Sequence, residues 1–298
     1  QWWHFAQSVS NGVWPVEVEL GSAVSIAVDN LQADTLLLFG QDLWNAVLSL
    51  EIEQGWNRMW LETEKIRGHV ALTPDLTEAK LELEFLEVTG FKQLNLESGD
   101  DEPSLEFPDV EASIKELHYG GRLLGDIAFN LSTHGGVLQA DNITGDIMGL
   151  KVGLEQPGKL RWLPSADVNR TRVNTSIDFE DLGQTLERLD YQKILETNSG
   201  KFSLELSWLG GPQNFALQHT LGSMQVDINE GRFLSAPAGT SGTLKVVSIL
   251  NLADIVGRLS LMTMFDAGIP FHGVAGELFF QEGSIDVVNI EVEGTSSG

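Results

Sequence analysis

Cysteine is absent from the 298 residues, so neither a disulfide nor a cysteine-ligated metal centre belongs to this chain. Cationic side chains are scarce: 18 Lys and Arg stand against 43 Asp and Glu, a net charge of −25, and most of the surface repels nucleic acid. Long apolar runs are also missing. The most apolar stretch, Leu244 to Met262, is broken by Lys245, Asn251, Asp254 and Arg258, too many polar groups for a simple membrane span. The opening Gln1-Trp2-Trp3-His4-Phe5 has neither a basic leader nor an apolar signal core, and the chain is expected to be part of something longer. The histidines, at 4, 69, 118, 134, 219 and 272, show no i, i+2 or i, i+4 pairing, so no metal and no cofactor is expected.

What the chain has in quantity is alternation. Val16-Glu17-Val18-Glu19-Leu20, Leu48-Ser49-Leu50-Glu51-Ile52-Glu53, Leu81-Glu82-Leu83-Glu84-Phe85, Leu204-Glu205-Leu206 and Ile290-Glu291-Val292-Glu293 each place carboxylates on one strand face and apolar side chains on the other. Such segments recur about every ten residues, separated by turn signals such as Asp29-Asn30, Gln54-Gly55, Thr73-Pro74-Asp75, His134-Gly135-Gly136 and Asn229-Glu230-Gly231. The spacing predicts a mainly β, antiparallel meander of about 18 to 20 strands. Two segments predict helix. Asp178 precedes the stripe Phe179, Leu182, Leu186, Leu189, weakened by Gly183, and Thr243 to about Leu261 is apolar nearly all round. Thr35 to Leu50 reads equally well as helix or strand. Helices so few leave most of the apolar sheet face uncovered, so the sheet closes as a sandwich or barrel or stays open as a groove.

The motifs for chemistry are weak. Gly153-Leu154-Glu155-Gln156-Pro157-Gly158-Lys159-Leu160 nearly spells a phosphate loop, but Leu160 stands where the hydroxyl belongs and a strand follows, so it reads as a hairpin. Gly294-Thr295-Ser296-Ser297-Gly298 fits a nucleophile elbow without a helix or histidine after it. The paired glutamates lie i, i+2 on outward faces, where solvation explains them, and the chain is not read as an enzyme. Trp2, Trp3, Trp56 and Trp60 gather near the first strands, either packing or touching a ligand.

From about Ser176 onward an ordered series resembles the C-terminal part of the AsmA-like family, in particular its YhdP-type members. Phe179-Glu180-Asp181-Leu182-Gly183 looks like the family's short helix, and Leu206-Ser207-Trp208-Leu209-Gly210-Gly211-Pro212 like its turn before a strand. Asn229-Glu230-Gly231-Arg232-Phe233, Arg258-Leu259-Ser260-Leu261 and Gly268-Ile269-Pro270-Phe271-His272-Gly273 continue the order. Leu209, Ser260 and Met262 depart from the family's usual Pro, Arg and Asp.

The resemblance implies a periplasmic protein, anchored to the inner membrane in its full-length form, whose elongated β-groove carries phospholipids toward the outer membrane without catalysis. Its partners would be phospholipid acyl chains and, at the ends of the full-length protein, membrane. The expected groove lining is Val16, Val18, Leu20, Leu81, Leu83, Phe85, Leu204, Leu206, Val226, Ile228, Leu278, Phe280, Ile290 and Val292. Residues 1–235 would form the groove, with a helical insertion near 178–190. Residues 236–298 would form a cap, its helix presenting Leu244, Val247, Leu250, Ile255 and Leu259. A closed sandwich or barrel without lipid, and an acidic all-β carbohydrate-binding protein, are the rival readings.

Overall fold

The computed structural model describes residues 26–38, 41–53, 55–89, 108–164, 169–190, 193–234, 270–281 and 284–294. The expected strand at 16–20, the helix expected at 243–261 and the boundary expected after residue 235 lie outside these residues. Two compact units, Gln1–Gly136 and Val137–Gly298, divide the chain.

In the first unit β1 (Ile26–Leu38), β2 (Gln41–Glu53), β3 (Trp56–Glu62), β4 (Ile66–Leu72), β5 (Glu78–Glu87), β6 (Asp109–Tyr119) and β7 (Arg122–His134) lie side by side in chain order. Residues 35–38 and 41–50 are strand: Thr35 faces Trp44 and Leu36 faces Leu43 across the β1–β2 ladder. Their helical stripe is overridden because Leu43 and Ala46 pack with Leu61 of β3, a contact that needs the pleated surface. The meander has one exception. β5 and β6 pair in parallel, which a tight turn cannot connect, and residues 88–108 supply the crossover length.

The second unit holds β8 (Val137–Ile147), β9 (Leu150–Val152), β10 (Gly158–Leu163), β11 (Arg170–Phe179), β12 (Leu195–Leu209), β13 (Thr220–Phe233), β14 (Pro270–Gln281) and β15 (Ser284–Gly294). β9 and β10 both pair with β8 and with β11, so they are two halves of one strand position interrupted at Gly153–Pro157. This is where the phosphate-loop-like string falls, and it holds no helix.

One short α-helix, α1 (Leu182–Arg188), interrupts the β pattern among the described residues. Its cap is Asp181, which accepts from the N–H groups of Gly183 and Gln184, and not Asp178 as the sequence suggests. Asp178 and Phe179 still belong to β11, where Phe179 is 3% exposed and joins the core. Gly183 is there for space: a Cβ would stand 2.0 Å from the Leu195 carbonyl oxygen.

Asn30, Asn45, Asn142 and Asn289 have φ between 51° and 59°, and Glu230 has φ 41°. All five lie inside strands. Asp29-Asn30 and Asn229-Glu230-Gly231, which read as turns, are therefore irregularities within β1 and β13. Asn tolerates the left-handed region because its short polar side chain bonds locally.

Candidate functional site

Cross-strand register sorts the side chains of each unit onto two faces, since directly paired residues share a face. In the first unit Leu50–Met59–Val70–Leu81–Ala112–Phe129 and Leu48–Leu61–Gly68–Leu83–Ile114–Ile127 are two successive rows. Every one of these residues is apolar or glycine. Gly68 leaves a gap in its row because a Cβ would meet the Glu82 carbonyl at 2.4 Å. The rows between them, on the other face, read Glu51–Arg58–Ala71–Lys80–Glu111–Asn130 and Ser49–Trp60–His69–Glu82–Ser113–Ala128.

The second unit repeats the arrangement. Leu160–Val173–Leu206–Gly222–Phe280–Ile285 and Thr175–Leu204–Met224–Leu278–Val287 run across its apolar face. Met224, Leu278 and Phe280 are buried, with Phe202, Leu204, Leu206, Val226, Ile285, Val287 and Ile290 packed against them. All of these side chains come from one face of four strands, β12 to β15. No opposing layer takes part among the described residues. A second cluster, Phe179, Ile228 and Phe271, receives Val274 and Val292 from the sheet and Leu182 from α1.

Of the expected lining residues, Leu81 and Leu83 stand in the first unit's apolar rows. Phe85 lies past a register shift at Arg67/Gly68, its ring 4.9 Å from that of His118 and 5.8 Å from the Arg67 guanidinium. Leu204, Leu206, Val226, Ile228, Leu278, Phe280, Ile290 and Val292 share one face of the second unit. Val16, Val18 and Leu20, and the cap residues Leu244, Val247, Leu250, Ile255 and Leu259, lie outside the described residues. Sequence reasoning missed Met59, Leu61, Met224 and Ile285, which the structure adds to these faces. β3 hid its own face: Trp56-Asn57-Arg58-Met59-Trp60-Leu61 is apolar on both sides, and only its neighbours' register decides which side is inward.

The outward face of the second unit carries a charge ladder. Asp146, Lys151, Asp178, Lys201 and Asp227 are paired in succession across β8, β9, β11, β12 and β13. Lys151 is pushed above its ordinary pKa first by its 3.0 Å hydrogen bond to Glu180, then by the charges of Glu180, Asp146 and Asp178. Lys201 is raised by its hydrogen bond to Glu155, then by the charges of Glu155, Asp178 and Asp227. One carboxylate oxygen of Asp178 is buried without a hydrogen-bond partner, and the two flanking ammonium groups are what make its charge tolerable there.

Glu87 organises the end of the first unit's crossover. Its carboxylate accepts from the N–H groups of Thr89 at 2.8 Å, Gly120 at 3.1 Å and Gly121 at 2.8 Å. These donors, led by the Thr89 hydroxyl, hold its pKa at about 2. Among the described residues no three His, Asp or Glu side chains are grouped to hold a metal ion.

A family profile described as YhdP protein matches residues 1–298. This chain belongs to the YhdP family. No curated protein and no solved structure matches it. The match spans both units, so the first unit's sheet, which lies before the series that begins near Ser176, is as much a part of the YhdP chain as that series. Among the described residues of this YhdP chain no helix is long and apolar enough to cross a membrane.

Proposed function

We propose that this YhdP chain is a lipid-carrying segment: the apolar face of each unit lines a groove that accepts phospholipid acyl chains, and the acidic face meets the aqueous periplasm. In the full-length protein, anchored to the inner membrane, such grooves would carry phospholipid between the two membranes. The observation that carries the reading is the Met224–Leu278–Phe280 cluster, around which Leu204, Leu206, Val226, Ile285 and Val287 stay partly exposed. It is formed by one face of consecutive strands with no second layer among the described residues. A lipid tail fills such a face with no specific polar contact, each buried methylene contributing ~0.8 kcal/mol. Non-directional burial also explains why the face is uniform in polarity and varied in side-chain shape, with Gly, Met, Phe, Leu, Val and Ile interchanged along its rows. The segment needs no reactive side chain for this task.

Leu206→Arg is the direct test, because Leu206 is half-buried on the apolar face of β12 and the variant places a cation in the path of the acyl chain. Organic extracts of the purified chain should contain phospholipid by mass spectrometry. The Arg variant should retain less than about a tenth of it, with an unchanged far-ultraviolet circular dichroism spectrum. Undiminished lipid in the variant assigns the wrong face. A wild-type chain free of lipid favours the closed scaffold.

A further inference from the structure

Four tryptophans of the described strands divide by face. Trp162 and Trp208 stand inward at 4% exposure, with their indole N–H groups donating to the Asn169 side chain at 2.8 Å and to the Gly211 carbonyl at 2.9 Å. Trp56 and Trp60 do the opposite. They alternate with Met59 and Leu61 on β3 and so stand among Arg58, His69, Lys80 and Glu82 on the hydrophilic side of the first unit.

A cleft of about 410 Å³ opens on that side, lined by Trp56, Arg58, His69, Val70, Ala71, Lys80 and Glu82. Register explains it. Arg58, Ala71 and Lys80 are paired in one row, and Ala71 is the short side chain between two long ones. The floor is therefore low and the flanks high. Trp56 forms a wall with the Lys80 ammonium over its ring, 5.7 Å from the centroid, and that ammonium is also held 3.0 Å from Glu111. His69 is braced from the side by Trp60, ring centroids 4.7 Å apart and planes at 65°. The volume lies within the ~300–1,000 Å³ usual for ligand sites.

The chemistry of the lining selects an occupant. An acyl chain would take the charged heads of Arg58, Lys80 and Glu82 out of water and offer them no hydrogen bond in exchange. A polyphosphate would meet Glu82 and Glu111 and the charge of the whole chain. A pyranose ring has what the site asks for: a face of C–H groups for the indole, and a rim of hydroxyls that both donate and accept. We propose that this cleft binds a pyranose oligosaccharide, one ring stacked on Trp56 and its hydroxyls bonded to Arg58, Lys80, His69 and Glu82. The site lies on the opposite face from the acyl-chain rows, so the two ligands do not compete, and the inference does not depend on the groove being a lipid path.

Saturation-transfer-difference NMR on the full chain tests it, with maltotetraose and chitotetraose as probes. Transfer to the ring C–H protons of at least one sugar is expected, with a dissociation constant of about 1 mM or tighter. Ala71→Arg raises the floor without touching the apolar face, and Trp56→Ala removes the platform. Each should weaken binding by about tenfold or more, while lipid recovered by extraction stays at the wild-type level. Absence of transfer from both sugars to the wild-type chain overturns the proposal. So does binding of equal strength in the Ala71→Arg chain, which remains informative even if Trp56→Ala fails to fold.

Discussion

Single residues in this chain act mostly through the backbone. Glu87 at the end of β5 accepts from the main-chain N–H of Thr89 and from those of Gly120 and Gly121 in the turn between β6 and β7, so one carboxylate ties the end of one strand to the hairpin that follows. Its pKa falls from an ordinary 4.5 to about 2. A lowered folded value means that the tie is at full strength above pH 4.5 and is lost as the pH falls toward about 2. Glu87→Gln keeps the shape and removes the charge, and hydrogen exchange at the Gly120 and Gly121 amides should speed up about tenfold at neutral pH. The same exchange in the wild-type chain should be flat between pH 5 and 7 once corrected for intrinsic rates, and acceleration within that window would contradict the tie. Gly222 acts by absence: at φ 134° and with 1.9 Å from a Cβ position to the Glu205 carbonyl, it keeps β12 and β13 close in the middle of the apolar face.

Strands were largely legible as elements, because period-two alternation of Glu with Leu, Val or Ile reports a face directly. What alternation does not report is where the chain slips. Asn289 is the clearest case: its left-handed φ of 51° lets Val287 and Ile290, three residues apart, both reach the apolar side. Gly276 opposite makes room, with its Cβ position 2.5 Å from Ile290. An Asn inside a strand looks like a turn residue in the sequence, and only the partner strand shows it to be a bulge. Asn289→Gly should be nearly neutral, whereas Asn289→Val should destabilise the chain by about 1–2 kcal/mol in urea unfolding, since a β-branched residue resists positive φ. Equal midpoints for the two variants would mean that the bulge costs nothing to hold. The parallel β5–β6 pair was illegible for a related reason: adjacency in a sheet says nothing about direction until the connection is known. The outward placement of Trp56 and Trp60 was hidden too, because β3 is apolar on both faces.

Over the whole molecule, a net charge of −25 must be held together by sheets that place most carboxylates in water. The Asp146–Lys151–Asp178–Lys201–Asp227 ladder offsets some of this repulsion, but 18 cations against 43 anions leave a large excess of negative charge. Salt should therefore stabilise the chain. Between about 0.01 M and about 1 M NaCl the screening length shrinks from ~30 Å to ~3 Å, and the melting temperature followed by circular dichroism should rise by several degrees. A fall over the same range would show that the ladder's attractions outweigh the net repulsion.

Consecutive strand order has a further consequence, for synthesis. When neighbours in space are neighbours along the chain, each strand finds its docking edge already in place as it emerges, and assembly proceeds vectorially, one hairpin at a time. The exception is β6, which pairs with β5 in parallel and waits for residues 88–108 to be made before it can add on. Synthesis should stall structurally at that point alone within the first unit, leaving β5 as a transient open edge and β1–β5 as the largest piece that can zip up without delay.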